Sequence, residues 1–321
     1  MTDPIPHWPG RMLTLPSGKQ VWLAQTGTSS ATGPDRKELV LCVHGMTGDA
    51  TNWTDLMAEL APDFDPVAVD LPGSGFSAPP QTPRGYSITA LAQTVIELIE
   101  TLDRGPVHLV GNSMGGAVSV RVAARRPDLV STLTLVSAAL PDRRPHRQTA
   151  HFPVLALPVV GNRLVRQFGR LPAPNRIAGV LATCYYDPGA VHPVRVALSV
   201  EELQRRDGLG YDAMTVTRAA RTLVAETFRP RRFSLWHDAE RVTMPALVLF
   251  GSHDKLVSPD LAGRAARTFP RARVVVLPET GHLGQMEHPA TVASLFREMV
   301  AQTRGQGESP GNAGRRDPVD V

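Results

Sequence analysis

Residues 106–115 read Pro-Val-His-Leu-Val-Gly-Asn-Ser-Met-Gly, and this stretch decides the fold. Its first half is an apolar run bounded by loops, typical of a strand buried on both faces of a sheet. Its second half fits G-x-S-x-G and precedes apolar residues at helical spacing, which puts Ser113 at a predicted strand-to-helix turn. Such a turn strains the backbone and needs small neighbours, and Gly111 and Gly115 meet that demand. We therefore expect Ser113 to be a nucleophile above the sheet edge; a chance match in a Gly-rich loop is the alternative.

Five further apolar runs alternate with helical patterns along the chain. The runs are residues 38–43, 66–69, 133–136, 246–250 and 273–277, and helical spacing recurs in 53–60, 91–102, 117–124, 261–268 and 292–300. This alternation predicts an α/β protein with parallel strands, right-handed crossovers and helices on both faces of the sheet. Pro16-Ser17-Gly18 is a turn signal between two short β-like segments, 12–15 and 21–25, and predicts an opening hairpin.

The alternation is interrupted once, between about Pro141 and Trp236. This stretch is helix-like, rich in Arg and Pro, and contains no convincing buried strand. We expect a helical cap over residues 141–236, inserted between two parts of a core at 1–140 and 237–302. The polar, Gly-containing tail at 303–321 is predicted to be disordered.

Composition excludes several function classes. The chain has 321 residues, 42% of them apolar, and a net charge of only +4, so it can bury a core but has no clear signature of a nucleic-acid partner. Its two cysteines cannot form a disulfide framework, and there is no C-x-x-C or H-E-x-x-H spacing for a metal. No window is long and apolar enough to span a membrane, and residues 1–10 do not resemble a secretory signal. No cofactor, metal or nucleic acid is expected, and a cytoplasmic protein is the default expectation.

Together with the Ser113 turn, several loops resemble those of the cap-bearing α/β-hydrolase family, whose fold the sequence is therefore expected to adopt. His44-Gly45-Met46-Thr47-Gly48 is similar to the family's oxyanion turn, and residues 70–77, Asp-Leu-Pro-Gly-Ser-Gly-Phe-Ser, are similar to its D-x-x-G-x-G-x-S loop. Gly251-Ser252-His253-Asp254 and Gly281-His282 follow the last two strands, in the family's order of Ser, acid and His. The resemblance covers about residues 12–300 apart from the insertion.

The resemblance implies a catalytic triad of Ser113, Asp254 and His282, and the chemistry of these groups agrees with it. A serine hydroxyl needs a base, a histidine can take and return a proton near neutral pH, and a carboxylate fixes its tautomer. The rival residues are His44, His253 and His288 for the base and Asp142 for the acid. His44 and Asp70 are expected to hold their loops.

The oxyanion hole is expected to consist of the backbone N–H groups of Met46 and Met114. A serine at position 113 disfavours relatives that use an aspartate nucleophile to open epoxides or remove halogen. The leading hypothesis is a hydrolase for small or medium apolar carboxylic esters, with no cofactor and with a small molecule as its partner. The oligomeric state stays open.

Two alternatives also stay open. The 111–116 elbow is similar to that of hydrolases that cleave carbon–carbon bonds in ring-fission products, although Leu283 stands where many of those relatives have Trp. A non-catalytic small-molecule receptor on the same fold is the other.

Apolar residues of the insertion are expected to roof the substrate pocket. They are Phe152, Val154, Leu155, Leu157, Val159, Val160, Leu164, Val165, Leu181, Tyr185, Tyr186, Val196 and Leu198. The Arg clusters at 143–147, 205–206 and 229–232 are expected to be solvated.

Overall fold

An eight-stranded sheet lies at the centre of the protein, in a computed structural model that describes residues 4–27, 36–142, 152–210 and 212–307. The strands are β1 (Gly10–Thr14), β2 (Gln20–Gln25), β3 (Leu39–Val43), β4 (Asp65–Val69), β5 (Val107–Asn112), β6 (Val130–Val136), β7 (Ala246–Gly251) and β8 (Ala272–Leu277). Their order across the sheet is β1-β2-β4-β3-β5-β6-β7-β8. The β1–β2 and β2–β4 pairs are antiparallel, and the other five pairs are parallel. The predicted α/β class, the hairpin and all six predicted strands are confirmed, but β8 lies at the edge of the sheet and is only partly buried, so the expectation of a fully buried strand was wrong there.

Helices cover both faces of this sheet. In chain order they are α1 (Thr54–Leu60), α2 (Ile88–Leu102), α3 (Met114–Arg125), α4 (Phe152–Ala156), α5 (Pro158–Phe168), α6 (Ala173–Cys184), α7 (Pro193–Asp207), α8 (Asp212–Thr227), α9 (Leu235–Glu240), α10 (Leu261–Thr268), α11 (Gly284–Glu287) and α12 (Pro289–Gly307). Alternate residues of β3 show why its sequence is apolar throughout. Leu41 and Val43 pack in the core cluster that contains residues of α2 and α3, whereas Val40 and Cys42 pack with residues of α1 and α12.

The parallel strands all end at one edge of the sheet, and this edge carries the residues of interest. The loops that follow β3, β4, β5, β7 and β8 hold His44, Asp70, Ser113, Asp254 and His282 respectively. Open parallel sheets bind ligands at their carboxyl edge, because the side chains of several loops converge there. Residues distant in sequence are thus placed at one rim.

The segment between β6 and β7 is helical and contains no strand in its described parts, 152–210 and 212–245. It is tied to the core through Arg121 of α3, which is only 1% exposed. The Arg121 guanidinium donates to Glu226 at 2.9 and 3.1 Å and to Asp238 at 2.8 Å. An arginine this deeply buried needs such partners to offset its lost hydration. Whether 141–236 is a separate cap domain remains a proposal.

The C-terminal helix is longer than the sequence suggested. The predicted disordered tail begins at Thr303, but α12 continues to Gly307, so that boundary was wrong by five residues. One reason is local, since the Thr303 hydroxyl donates to the Met299 carbonyl one turn earlier at 2.9 Å, and one is tertiary, since Arg304 pairs with Glu38 of the core. Residues 308–321, the rest of that tail, lie outside the described residues.

Within the described residues, no helix combines the length and the apolar character needed to cross a membrane.

Candidate active site

Ser113 lies at the strained turn between β5 and α3. Its backbone has φ +52° and ψ −118°, a conformation that a residue with a side chain rarely adopts. Hydrogen bonds hold the turn: the Ser113 N–H donates to the Val136 carbonyl at 3.1 Å, and the Ser113 carbonyl accepts the N–H groups of Ala117 and Ala139. A strained residue persists only where its surroundings fix it, and such residues concentrate at functional sites.

The glycines on either side of Ser113 are required by close packing. A Cβ on Gly115 would lie 2.1 Å from the Val43 carbonyl oxygen, and one on Gly111 would lie 2.5 Å from the Ser119 hydroxyl. Any larger residue at Gly115 would therefore push α3 away from the end of β3. The G-x-S-x-G spacing is a steric condition for this elbow.

Asp254 and His282 form a direct buried pair. The His282 Nδ1 donates to Asp254 Oδ2 at 2.8 Å, and both residues are almost fully buried. The other carboxylate oxygen, Oδ1, accepts the N–H groups of Leu256 and Val257 at 2.8 and 3.0 Å. Burial by itself would raise the pKa of Asp254, but the His282 ring and the two N–H donors outweigh it and lower the pKa. The carboxylate therefore stays charged and fixes the ring with Nε2 as the free nitrogen.

The loop that carries His282 is fastened to the serine elbow and to the helical segment. Asn112 Nδ2 donates to the His282 carbonyl and to the Val136 carbonyl, both at 3.1 Å. On the other side, the His282 N–H donates to the Cys184 carbonyl at 2.6 Å. Glu287 accepts the N–H of Gly281 at 2.9 Å and that of Tyr186 at 2.7 Å. No pattern in the sequence predicts these roles for Asn112 and Glu287.

The serine and the imidazole are not joined directly in this structure. Among the described residues, the Ser113 hydroxyl has no hydrogen-bond partner. Ser113 is half-buried, and the neighbouring Asn112 is hydrogen-bonded to the loop that carries His282. Catalytic hydrogen bonds are often long or misaligned without substrate and shorten in the reacting complex. The three-residue triad therefore stays a prediction.

The N–H groups of Met46 and Met114 are both available to an acceptor. Within the part of the chain that the structure describes, neither donates to a protein group. The two methionines share the wall of a cavity of about 10 Å³, closed on the far side by Thr215, Val216 and Ala219 of α8. That volume holds roughly one water molecule.

The rival histidines have other partners. His44 is fully buried; its Nδ1 donates to the Gly45 carbonyl at 2.7 Å and its Nε2 accepts the Leu71 N–H at 2.9 Å. Burial lowers the pKa of His44, so the ring stays neutral while it bridges two loops. His253 contacts Ser252 and stacks near Tyr186, and His288 contacts the Glu279 carbonyl.

Asp70 holds its loop in place and does not contact the His282 ring. Asp70 accepts the N–H groups of Ala50 and Phe76 at 2.7 and 2.8 Å, and so joins two loops. Burial, followed by the charge of Asp49, raises the pKa of Asp70 to about 7. The carboxylate bonded to the His282 ring is that of Asp254 and not that of Asp142.

Two arginines that were expected to be solvated contact the core loops instead. Arg206 of α7 donates to the Thr47 carbonyl at 2.8 Å, next to Met46, and Arg205 donates to the Gly75 carbonyl at 2.8 Å. Arg205 also lies over the Phe76 ring at 3.9 Å. Thr47 has φ +65°, so its carbonyl marks a strained point of the oxyanion turn. On a helix, nothing in the local sequence distinguishes such an arginine from a solvated one.

A second cavity, of about 1140 Å³, lies between the helical segment and the N-terminal part of the core. Thr47 and Val216 line this cavity and also the small one, so they form a shared wall. Of the apolar residues expected to roof a pocket, Leu155, Leu164, Val165 and Leu198 line the large cavity. Others face solvent, and Val159 is 79% exposed. Arg143, Arg144, Arg147 and the Phe152 side chain lie outside the described residues.

No group of three or more His, Cys, Asp or Glu in the described ranges is arranged to hold a metal ion.

Comparison with known proteins gives the class. Residues 38–289 match the family described as alpha/beta hydrolase fold, which is most of the chain, and the protein belongs to that family. The dihydrolipoyllysine-residue acetyltransferase component of the acetoin cleaving system of Pseudomonas putida is 31% identical over 251 residues, which is 77% of this chain but only 59% of that relative.

Two further relatives match over nearly their whole length. The 2-hydroxy-6-oxononadienedioate/2-hydroxy-6-oxononatrienedioate hydrolase of Burkholderia vietnamiensis is 27% identical, across 94% of this chain and 99% of that one. The solved structure of a thermophilic esterase from Thermogutta terrifontis superposes with a TM-score of 0.69 at 24% identity, over 92% of this chain and 99% of that one. The likeness to the esterase shows the fold.

Proposed function

We propose that the protein is a serine hydrolase that cleaves the carboxylic ester of a small or medium apolar substrate through an acyl-enzyme. The observation that carries the proposal is the buried Asp254–His282 pair, whose loop is hydrogen-bonded to the strained Ser113 elbow. A buried carboxylate bonded to one ring nitrogen leaves the other free to act as a base. That is the arrangement needed to activate a hydroxyl at neutral pH.

In the proposed reaction, the Ser113 Oγ attacks the ester carbonyl carbon and its proton passes to Nε2 of His282. Asp254 stabilises the imidazolium through Nδ1. The N–H groups of Met46 and Met114 donate to the oxyanion, and losing one such donor typically costs about 3 kcal/mol of transition-state stabilisation. His282 then returns the proton to the leaving alcohol, and a water activated by the same ring releases the acid.

The cavities support an apolar substrate that enters from the larger side. The space beside Met46 and Met114 holds only about one water molecule, so an acyl chain does not fit there without movement of α8. The 1140 Å³ cavity is ample and has apolar walls from α5 to α7. We place the acyl or alkyl group there, with the carbonyl reaching the oxyanion position past Thr47 and Val216.

The test is hydrolysis of p-nitrophenyl acyl esters of several chain lengths. Ser113→Ala should lower kcat by ~10⁴-fold or more while the melting temperature hardly changes. Ser252→Ala is the matched control, because that serine lies at the same sheet edge but contacts His253. Ester turnover that survives Ser113→Ala in cleaned substrate would assign the nucleophile to another residue.

Cleavage of a carbon–carbon bond is the second candidate, and the nearly full-length match to the Burkholderia vietnamiensis hydrolase favours it. The same serine and imidazole would serve there, on a vinylogous keto acid rather than an ester. A higher kcat/KM for a 2-hydroxy-6-oxo dienoate than for every ester would make this the preferred activity. A chain that turns over neither class and resists fluorophosphonate would be a small-molecule receptor.

A further inference from the structure

Helices α4 and α5 with the turn after them present an unusual outer face, here named the α4–α5 surface and comprising residues 152–171. Of the seventeen large apolar residues that are exposed in the described chain, eight lie between residues 154 and 180. Val154, Leu157, Val159, Val160 and Leu171 belong to the surface and do not line the large cavity, whereas Leu164, Phe168 and Val180 also line that cavity. Exposed apolar side chains this close together in the chain are typical of an interaction surface, since scattered single ones are the rule elsewhere.

The inner side of α5 is already occupied. Arg221 of α8 donates to the Ala156 carbonyl at 2.9 Å and to the Asn162 side chain at 3.1 Å. A Cβ on Gly161 would lie 1.9 Å from the Leu155 carbonyl oxygen, so α5 is packed tightly against α4 at that point. The helix is thus fixed from behind, and its exposed apolar side chains are a stable feature of the surface.

The charge of this surface has one sign. Residues 152–171 contain three arginines and no Asp or Glu. Arg163, Arg166 and Arg170 lie on or next to α5, are exposed, and make no ion pair with any described residue. Two neighbouring arginines of the helical segment do have acidic partners, Arg176 with Asp207 and Arg195 with Asp55. Three unpaired cations among exposed apolar side chains need an anionic partner with an apolar interior.

We propose that the α4–α5 surface binds the headgroup region of an anionic phospholipid bilayer and lies in the interface without crossing it. An amphipathic helix with an arginine-rich polar face and low overall hydrophobicity has this behaviour, because apolar burial and attraction to anionic lipids add. Nucleic acid would satisfy the arginines but leave Val159, Val160 and Leu164 in water. A second copy of this chain would bring the same positive charge against itself.

The surface also adjoins the large cavity. Leu164, Val165, Arg166 and Phe168 of α5 line that cavity as well as the outer face or its rim. A bilayer seated on α5 would therefore lie next to an apolar compartment that leads toward Thr47. Binding itself does not depend on the proposed hydrolysis, so it is tested in a chain that cannot turn over.

The experiment is co-sedimentation of the full Ser113→Ala chain with vesicles of phosphatidylcholine alone and of equimolar phosphatidylcholine and phosphatidylglycerol. We expect binding to the anionic vesicles that weakens with added salt, and little binding to the neutral ones. Replacing Arg163, Arg166 and Arg170 together by Gln should weaken binding about 100-fold. Val159→Asp with Val160→Asp should weaken it at least ~10-fold.

Matched controls separate this surface from general charge or stickiness. Phe228→Asp changes an apolar residue that is exactly as exposed as Val159, at 79%, outside the surface. Arg84→Gln, Arg125→Gln and Arg267→Gln together remove three exposed cations of the core. Both controls should bind within about twofold of the parent, with unchanged circular dichroism. No binding to anionic vesicles, equal binding to neutral ones, equal loss in the controls, or dimerisation that Val159→Asp abolishes would each overturn the proposal.

Discussion

The carboxyl edge of the sheet, the rim that carries Ser113, differs from the α4–α5 surface in how its polar groups are partnered. At the rim the supporting groups have internal partners, since Asp254 accepts three hydrogen bonds and the His282 backbone is bonded on both sides. On the α4–α5 surface, three arginines and a run of apolar side chains are left to solvent. Hydrogen bonds to other protein groups hold a side chain in position for chemistry, whereas exposed groups without such partners are suited to an external partner.

The largest expected effect comes from breaking the rim at its carboxylate. Asp254→Asn keeps the shape but can present an N–H to His282 Nδ1, which favours the wrong tautomer of the ring. We expect kcat for the best p-nitrophenyl ester to fall by ~10³–10⁴-fold with little change in KM. Asp142→Asn, which changes the rival carboxylate, is the control, and its kcat should stay within tenfold of the wild-type kcat because Asp142 is not bonded to the His282 ring. A larger loss in Asp142→Asn would move the acid to that residue.

The same substitution should make the lowered pKa of Asp254 visible in the pH dependence of the free energy of unfolding. Folding lowers the pKa of Asp254 below its value in the unfolded chain, which is near 4. The charged carboxylate therefore stabilises the fold at pH values above the unfolded-state pKa. This contribution is lost as the pH falls through the lower pKa of the folded state. At pH 7, Asp254→Asn should reduce the free energy of unfolding by about 2 kcal/mol. Urea titrations of both chains from pH 7 to about pH 3 should show that difference shrinking. A difference that grows on acidification would contradict the shift.

A substitution of Arg206, which reaches from α7 to the Thr47 loop, should have a smaller effect on kcat. Arg206→Gln removes the guanidinium that holds the Thr47 carbonyl, and should loosen the Met46 N–H donor. We expect kcat to fall about tenfold while KM and the melting temperature change little, and Arg206→Lys to recover part of the loss. Arg205→Gln removes the equivalent contact to Gly75 and serves as the control. Equal effects of the two changes on kcat would indicate a general packing role.

The smallest expected effect is on specificity, at the wall between the cavities. Val216→Ala opens the wall between the 10 Å³ space and the 1140 Å³ cavity. The ratio of kcat/KM for a long over a short acyl ester should rise by a few fold, up to about tenfold. Ala219→Gly, which changes the small cavity without touching the large one, is the comparison. An unchanged ratio would place the acyl chain elsewhere.

How much the sequence could predict depends on whether the information is local. The elbow was predictable because Gly111 and Gly115 satisfy a steric demand within a few residues of Ser113. β3 was predictable because a strand buried on both faces must be apolar throughout.

Contacts between distant residues were not predictable. Arg206 meets Thr47 and Asn112 meets His282 across more than 150 residues, and neither pairing leaves a trace in the neighbouring sequence. The stretch that contains α5 was predicted to be helical and its apolar residues to roof a pocket, but the sequence did not predict that several of them face solvent. A periodic pattern shows that a helix has an apolar face, while tertiary packing decides what that face meets.

The most direct test of the central claim is the site and rate of fluorophosphonate labelling, followed by intact-mass and peptide mass spectrometry. We predict one adduct per chain, on Ser113, formed as fast in His253→Gln as in the wild type. In His282→Gln, the rate should drop at least ~100-fold, because the serine loses its base. An adduct on another residue, or labelling of Ser113 that is indifferent to His282, would contradict the account.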